Sequence, residues 1–173
     1  ITGTSNQGEG MESPTPVTDL GLEELESIDP GQLGESLSKL PQFSNNQRPS
    51  QVGWNSAGAN LNLRGAGSQR SLVLLDGRRV PAGNRWGIPN VSALPEAAIR
   101  SVQAVTGGAS AAYGTDAVAG VINFILDTDY NGTKVKAQVG TSSRADGDNT
   151  ELGVTHGMDI GDDGHLLLSL DSF

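Results

Sequence analysis

The chain has no cysteine among its 173 residues, which excludes disulfides, thiol nucleophiles and cysteine-based zinc sites. Aromatic residues make up only 4%, far below what a large aromatic-rich core would use. No apolar run approaches the roughly 20 residues of a membrane-spanning helix, and no signal peptide is visible, so the chain is expected to begin after any processing site. Bases are scarce too. Eleven Lys and Arg against twenty Asp and Glu leave a net charge of −9, which argues against nucleic acid as a partner. What is abundant is glycine, 24 residues, as expected of a chain with many turns and close backbone approaches.

The charge is unevenly spread. Residues 1–40 hold eight acids and one base, and residues 127–173 hold nine acids and three bases. Between them, residues 41–126 hold three acids and seven arginines. An arginine-rich middle between acidic flanks is either a solvated surface or a segment that meets carboxylates elsewhere.

The apolar pattern divides the chain at about residue 126. Residues 1–15 are rich in Gly, Ser, Asn and Glu, and an extended piece begins at Pro16-Val17-Thr18. Leu22–Ile28 reads as a short helix. A second helix starts at Asp29-Pro30, shows Leu33, Leu37 and Leu40 on one face, and stops at Pro41. Two polar loops follow, 42–60 with Trp54 and Asn55, and 81–92 with Asn84, Arg85 and Trp86. Exposed aromatics on loops serve as ligand platforms or fold back as small anchors. Strand patterns cover Asn60–Arg64, Ser71–Leu75, Ser101–Val105 and Gly120–Leu126, with Asp76-Gly77 as a hairpin turn before Arg78-Arg79-Val80. Pro95–Ile99 reads as a helical turn. Strands mixed with short helices predict an α+β domain over 13–126.

After residue 126, strands of about ten residues alternate apolar and polar positions. Val135, Ala137 and Val139 share one parity, as do Leu152, Val154, Met158 and Ile160, then Leu166, Leu168 and Leu170. Such strands belong to an outer-membrane barrel or to a half-buried antiparallel sheet. His156 falls on the apolar parity and fits the barrel only near an interface. Ser142–Asn149 and Gly161–Gly164 are the connecting loop and turn. Phe173 ends the chain within an alternating run, as a fragment would.

Motifs for chemistry fail on inspection. Thr106–Gly114 lacks the glycines of a dinucleotide loop, and no Gly-Lys-Ser/Thr occurs. Gly108–Ala112 is a nucleophile elbow without its last glycine, so a hydrolase using Ser110 and a histidine is a weak alternative. Asp127–Gly132 matches half of a calcium loop, but Gln138 stands where the bidentate carboxylate belongs. The expectation is no catalytic site, no metal and no cofactor.

Four ordered segments then carry a resemblance. Pro14–Leu40, Leu63-Arg64-Gly65, Leu72–Val80 (LVLLDGRRV) and Ile99–Leu126 (IRSVQAVTGGASAAYGTDAVAGVINFIL) together resemble the plug domain of TonB-dependent outer-membrane receptors. The resemblance implies a plug with a mixed four-stranded sheet and short helices over 13–126. Residues 127–173 would be the first three antiparallel strands of a 22-stranded transmembrane β-barrel. It also implies a function: TonB-dependent import of a scarce or bulky nutrient across the outer membrane of Gram-negative bacteria.

The implied signature residues are Leu63, Arg64, Gly65, Asp76, Gly77, Gly107, Gly108, Tyr113, Gly114 and Asn123. Arg64, Arg78, Arg79 and Arg100 are expected to meet barrel carboxylates. Trp54, Asn55, Asn84, Arg85 and Trp86 would face a siderophore, glycan or other small-molecule cargo. Ile1-Thr2-Gly3 resembles the end of the segment that pairs with TonB, and the mobile segment 1–12 would transmit its pull. Outer-membrane lipid and a surface lipoprotein complete the implied partners. Where many family members have Ile-Glu-Arg-Ile-Glu-Val, this chain has Ile99–Val105 without the acids. A soluble periplasmic module with a plug-like fold is the alternative that does not need a barrel.

Overall fold

The computed structural model describes residues 17–28, 33–43, 60–107, 109–140, 149–161 and 164–172. They form two compact units. The first is built on a sheet of strands β1 (Val17–Gly21), β2 (Ser71–Leu75), β3 (Arg78–Arg79), β4 (Ile99–Thr106) and β5 (Gly120–Leu126), in the order β1-β4-β5-β2-β3. It has five strands where the resemblance implies four, the two-residue β3 standing at one edge. β2 and β5 run parallel, Ser71 opposite Gly120 through Leu75 opposite Phe124. β1 is antiparallel to β4. An added Cβ on Gly120 would meet the Val105 carbonyl, and the Asp127 N–H donates to Ala98 O at 2.8 Å, so β5 runs antiparallel to β4 as well. The sheet is therefore mixed.

Burial follows the sequence pattern. The continuous apolar runs of β2 and β5 are covered on both faces: Leu72, Val73 and Leu74, and Val121, Ile122 and Phe124, are all buried. That is the behaviour of a central parallel pair rather than of a strand with one wet face. Helices α1 (Leu22–Ile28) and α2 (Leu33–Ser38) each turn two leucines inward, Leu22 with Leu25 and Leu33 with Leu37. Glu23 and Glu24 occupy the first turn of α1, where carboxylates favour the helix dipole. α2 closes with Lys39 N–H on Ser36 O and Leu40 N–H on Leu37 O, both 3.2 Å, and Pro41 cannot continue it. The Asp29-Pro30 start expected for this helix lies outside the described residues.

One strand expected from the sequence is absent as such. Asn60–Arg64 is an irregular extended segment whose only ladder contacts are bridges, including Leu63 with Phe43. Asn60, Leu61, Asn62 and Leu63 are all buried, so the two-residue alternation does not mark one wet and one dry face. Arg64 and Gly65 then take left-handed backbone, φ 52° and 72°, and turn the chain away.

The second unit contains residues 95–99 and a three-stranded antiparallel sheet of β6 (Gly132–Gly140), β7 (Asn149–Ile160) and β8 (Gly164–Ser172). Its register aligns Val135, Val154 and Leu170 on one face, and Lys134, Thr155 and Ser169 on the other. The apolar face is open: Val139 is 80% and Leu170 75% exposed. On the polar face Thr155 is buried and its hydroxyl pairs with that of Ser169 at 3.0 Å. Lys136 reaches the Glu96 carboxylate at 3.9 Å. His156 lies on the apolar face, where its Nδ1 sits 2.9 Å from the Thr133 hydroxyl directly across the strand pair. The loop at 142–148 and the turn residues Asp162 and Asp163 lie outside the described residues.

Gly120 gives the sharpest test of this packing. Its φ of +143° is unfavourable for any side chain, and a Cβ would strike the Val105 carbonyl and lie 2.9 Å from Leu63 Cδ1. Gly120→Ala is expected to cost about 2–3 kcal/mol, read as a lower urea midpoint. Gly21→Ala, whose Cβ meets nothing within 4 Å, is expected to stay within about 0.5 kcal/mol.

Candidate functional site

Of the signature residues, Asp76, Gly77 and Asn123 meet at the end of the five-stranded sheet where β2 turns into β3, whereas Leu63 and Arg64 lie at the opposite end, on Ser71 and Thr106. Asp76 and Gly77 both have positive φ, 46° and 74°, which gives the tight hairpin that Asp-Gly favours. β5 holds this turn from the side. The Asp76 N–H donates to Phe124 O at 2.8 Å, and the Gly77 N–H donates to Asn123 Oδ1 at 2.9 Å. Asn123 is fully buried, and its Nδ2 has no hydrogen-bond partner among the described residues. An unpaired buried amide costs about 1–3 kcal/mol, so the hook on Gly77 is a reason for keeping asparagine inside an otherwise apolar strand.

From this turn β3 carries Arg79 across to the segment that follows β4. Arg79 Nη1 donates to Asp116 Oδ2 and Nη2 to the Tyr113 carbonyl, each at 2.5 Å. The short helix α3 (Ser110–Tyr113) and the turn Thr115–Ala117 are thereby tied to the sheet edge. Beneath them Ala109, Ala117 and Tyr113 pack on Leu72, Leu74, Val105 and Val121. Gly114 has φ 89°, a backbone conformation that favours glycine, and a Cβ there would only touch Arg79 Nη2, at 3.5 Å.

The other arginines divide by environment. Arg64 is exposed and donates to the Thr106 hydroxyl at 3.1 Å. Arg78 is exposed beside an apolar cleft of about 380 Å³ formed with Leu75, Pro81 and Leu94. Arg100 lines a polar cleft of about 470 Å³ with Asp19, Asp76 and Gln103. Arg79, expected to meet barrel carboxylates, has its carboxylate inside its own unit. Leu63 is fully buried and donates its N–H to Ser71 Oγ at 3.0 Å. Gly107 has φ 125° just past the end of β4.

The loop after β3 is a small hairpin. Ala82 and Pro89 form a bridge, and Gly83 N–H donates to Ile88 O at 2.9 Å. Asn84 Oδ1 accepts from the N–H groups of Trp86 and Ile88, at 2.9 and 3.1 Å. Asn84, expected to face a ligand, thus spends its carbonyl on the loop. Trp86 at the tip is 53% exposed, and the Arg85 guanidinium lies over its ring, 4.8 Å from the centroid. It does not fold back as a core anchor.

Sequence reading did not single out Asp116 or Thr106, and no local spacing flags them. Both partner arginines are distant, 37 and 42 residues away. The two histidines considered beside Ser110 are engaged within the three-stranded sheet, His156 with Thr133 and His165 Nε2 with the Tyr130 carbonyl at 3.0 Å. In the calcium-like loop, Asn131 Nδ2 donates to Asp159 at 2.9 Å. Ile1, Thr2, Gly3, Trp54, Asn55 and Gly108 lie outside the described residues.

Comparison with known proteins gives one consistent result. A family model described as the TonB-dependent Receptor Plug Domain matches residues 9–121. Among solved structures, the chain is similar to the siderophore receptor PirA from Pseudomonas aeruginosa, with 21% identity, a TM-score of 0.60, and coverage of 87% of this chain and 25% of that one. It is similar to the ferric yersiniabactin uptake receptor FyuA from Yersinia pestis, with 19% identity, a TM-score of 0.62, and coverage of 92% and 24%. The siderophore receptor PirA from Acinetobacter baumannii gives 24% identity, a TM-score of 0.60, and coverage of 85% and 22%. At these identities the likeness is one of fold, and the chain spans about a quarter of the length of these structures.

Removal of the Arg79 clamp tests how the signature segment is held. The pair is half exposed, 52% and 55%, so solvent screens it and the loss of global stability in Arg79→Ala is expected to stay below about 1 kcal/mol. Locally the effect is larger relative to its size: amides of residues 110–117 are expected to exchange hydrogen about fivefold faster, read by mass spectrometry.

Proposed function

Because the chain belongs to the TonB-dependent receptor plug-domain family, we propose that it supplies the gating plug and first barrel strands of an importer in the bacterial outer membrane. The observation that carries this reading is the family match along residues 9–121, which lies on a compact mixed sheet with its own buried core. The three-stranded sheet supports it from a second direction. Strands of nine to twelve residues carry an open apolar face and a hydrogen-bonded polar face. In the importer the apolar face meets lipid and the polar face the lumen. A soluble module would leave the same apolar face in water.

The mechanism follows from what a wide pore needs. A large barrel leaks unless a folded body fills it, and a filler in a polar lumen carries polar and arginine-rich surfaces. Cargo binds the loops at 42–60 and 81–92 together with barrel loops. TonB engages the N-terminal segment, pulls on residues 1–12, and the plug rearranges so that cargo passes inward. The turn at Gly161–Gly164 faces the periplasm and the loop at 142–149 the outside. Arg64, Arg78 and Arg100 contribute positive charge to the plug surface that meets the barrel. Cargo leaves chemically unchanged, as befits a transporter family. Similar receptors are named for siderophores, and a siderophore or a glycan suits the polar loops of this chain.

Energy coupling is the testable core of this reading. In cells carrying the whole receptor, deletion of TonB or of residues 1–12 is expected to abolish uptake of radiolabelled cargo while leaving surface binding intact. Uptake that persists in both strains would show that the chain does not serve an energised importer.

A further inference from the structure

Below the tip of the 82–89 hairpin the five-stranded unit has an open cleft of about 520 Å³, a size typical of small-ligand sites. Trp86 and Pro89 form one apolar wall, and Ser68, Gln69, Arg79 and Asp116 supply polar groups. Three features bear on what this cleft would hold.

The first is the indole itself. It is half exposed, on a loop whose Trp86 and Ile88 amides are held by Asn84, and Arg85 stacks on the ring. An indole has few rotatable bonds to order on binding and offers a flat apolar surface. The second is charge. Arg79 and Asp116 are the charged residues lining the cleft, and they neutralise each other at 2.5 Å. Arg85 lies over the ring and is not among the lining residues. Among the described residues lining the cleft, a multiply anionic ligand would therefore find no cation besides the paired Arg79, and would lose water without compensation. The third is the donor and acceptor set. An amide, hydroxyls and one side of an ion pair beside an aromatic plane match a ligand with hydroxyls around its rim and C–H groups on its face.

We propose that this cleft is a subsite for a neutral carbohydrate, with a sugar ring stacked on Trp86 and its hydroxyls met by Gln69 and the Arg79–Asp116 pair. The assignment rests on the transport reading above and names the class of cargo at one of its loops. It sets this chain apart from receptors whose cargo is an anionic metal chelate.

Calorimetry on the purified whole receptor tests it, with maltotriose, xylotriose, cellotriose and chitotriose as probes and ferric tricatecholate and trihydroxamate chelates as competitors. At least one trisaccharide is expected to bind saturably and to resist competition by the chelates. Trp86→Ala is expected to weaken that binding about tenfold, with Trp86→Phe and Gln69→Ala weakening it about threefold. Circular dichroism of each variant checks that the receptor is folded. No binding by any trisaccharide, displacement by a chelate, or unchanged affinity in folded Trp86→Ala overturns the subsite. The two readings fail separately. Unchanged affinity in the variant with uptake still requiring TonB removes the subsite and keeps the importer. Trp86-dependent sugar binding with TonB-independent uptake does the reverse.

Discussion

The parallel pairing of β2 with β5 is the contact on which the other features of the plug unit depend. It needs a crossover connection, since parallel neighbours cannot be joined by a hairpin. That connection contains β3, the Trp86 loop, β4 and the small-residue segment after it. The register, Ser71 opposite Gly120 and Leu75 opposite Phe124, also sets where β2 ends. Its last residue leaves the Asp76-Gly77 turn beside Asn123 and Phe124, which bind the two turn amides. With the turn held, Arg79 points at Tyr113 and Asp116, and the cleft beneath Trp86 acquires its neutral ion pair. A slip of one residue would turn each buried position of β2 the other way and undo the series.

Two kinds of sheet occur in one chain, and burial separates them. β2 and β5 are covered on both faces and read as unbroken apolar runs, whereas β6, β7 and β8 alternate and leave their apolar face open. The first pattern makes its own core. The second requires an apolar surrounding that the strands do not themselves provide, and lipid is the surrounding that the barrel reading supplies. His156 lies on the same apolar face, bonded to Thr133 across the strand pair, and fits that use of the sheet only near a membrane interface.

Charge is arranged differently from what segment totals suggest. The arginine excess of residues 41–126 reads as surface waiting for external carboxylates, yet Arg79 is matched at home by Asp116, and Arg64 rests on a hydroxyl. Arg78 and Arg100 are exposed at clefts as well, and the second already has Asp19 and Asp76 in its cleft. A count of charges along the chain has no access to such pairings, because the partners are dozens of residues apart.

Local patterns in the sequence determined most of the elements: the α1 span, the Leu33 and Leu37 face, the Asp-Gly hairpin, the apolar runs of β2 and β5, and the alternating strands after residue 131. Each rests on periodicity or turn chemistry within a few residues, which is the range over which backbone sterics and side-chain spacing act. The family resemblance was legible for a similar reason, as ordered short motifs. Tertiary structure alone decided the rest. It showed that Asn60–Leu63 is buried throughout instead of alternating, that Asn84 serves its own loop, and that Arg79 and Asp116 meet. It also left Trp86 facing a cleft rather than a core. These outcomes depend on which distant segments pack together, and long-range packing is set by the whole core rather than by any stretch of sequence taken singly.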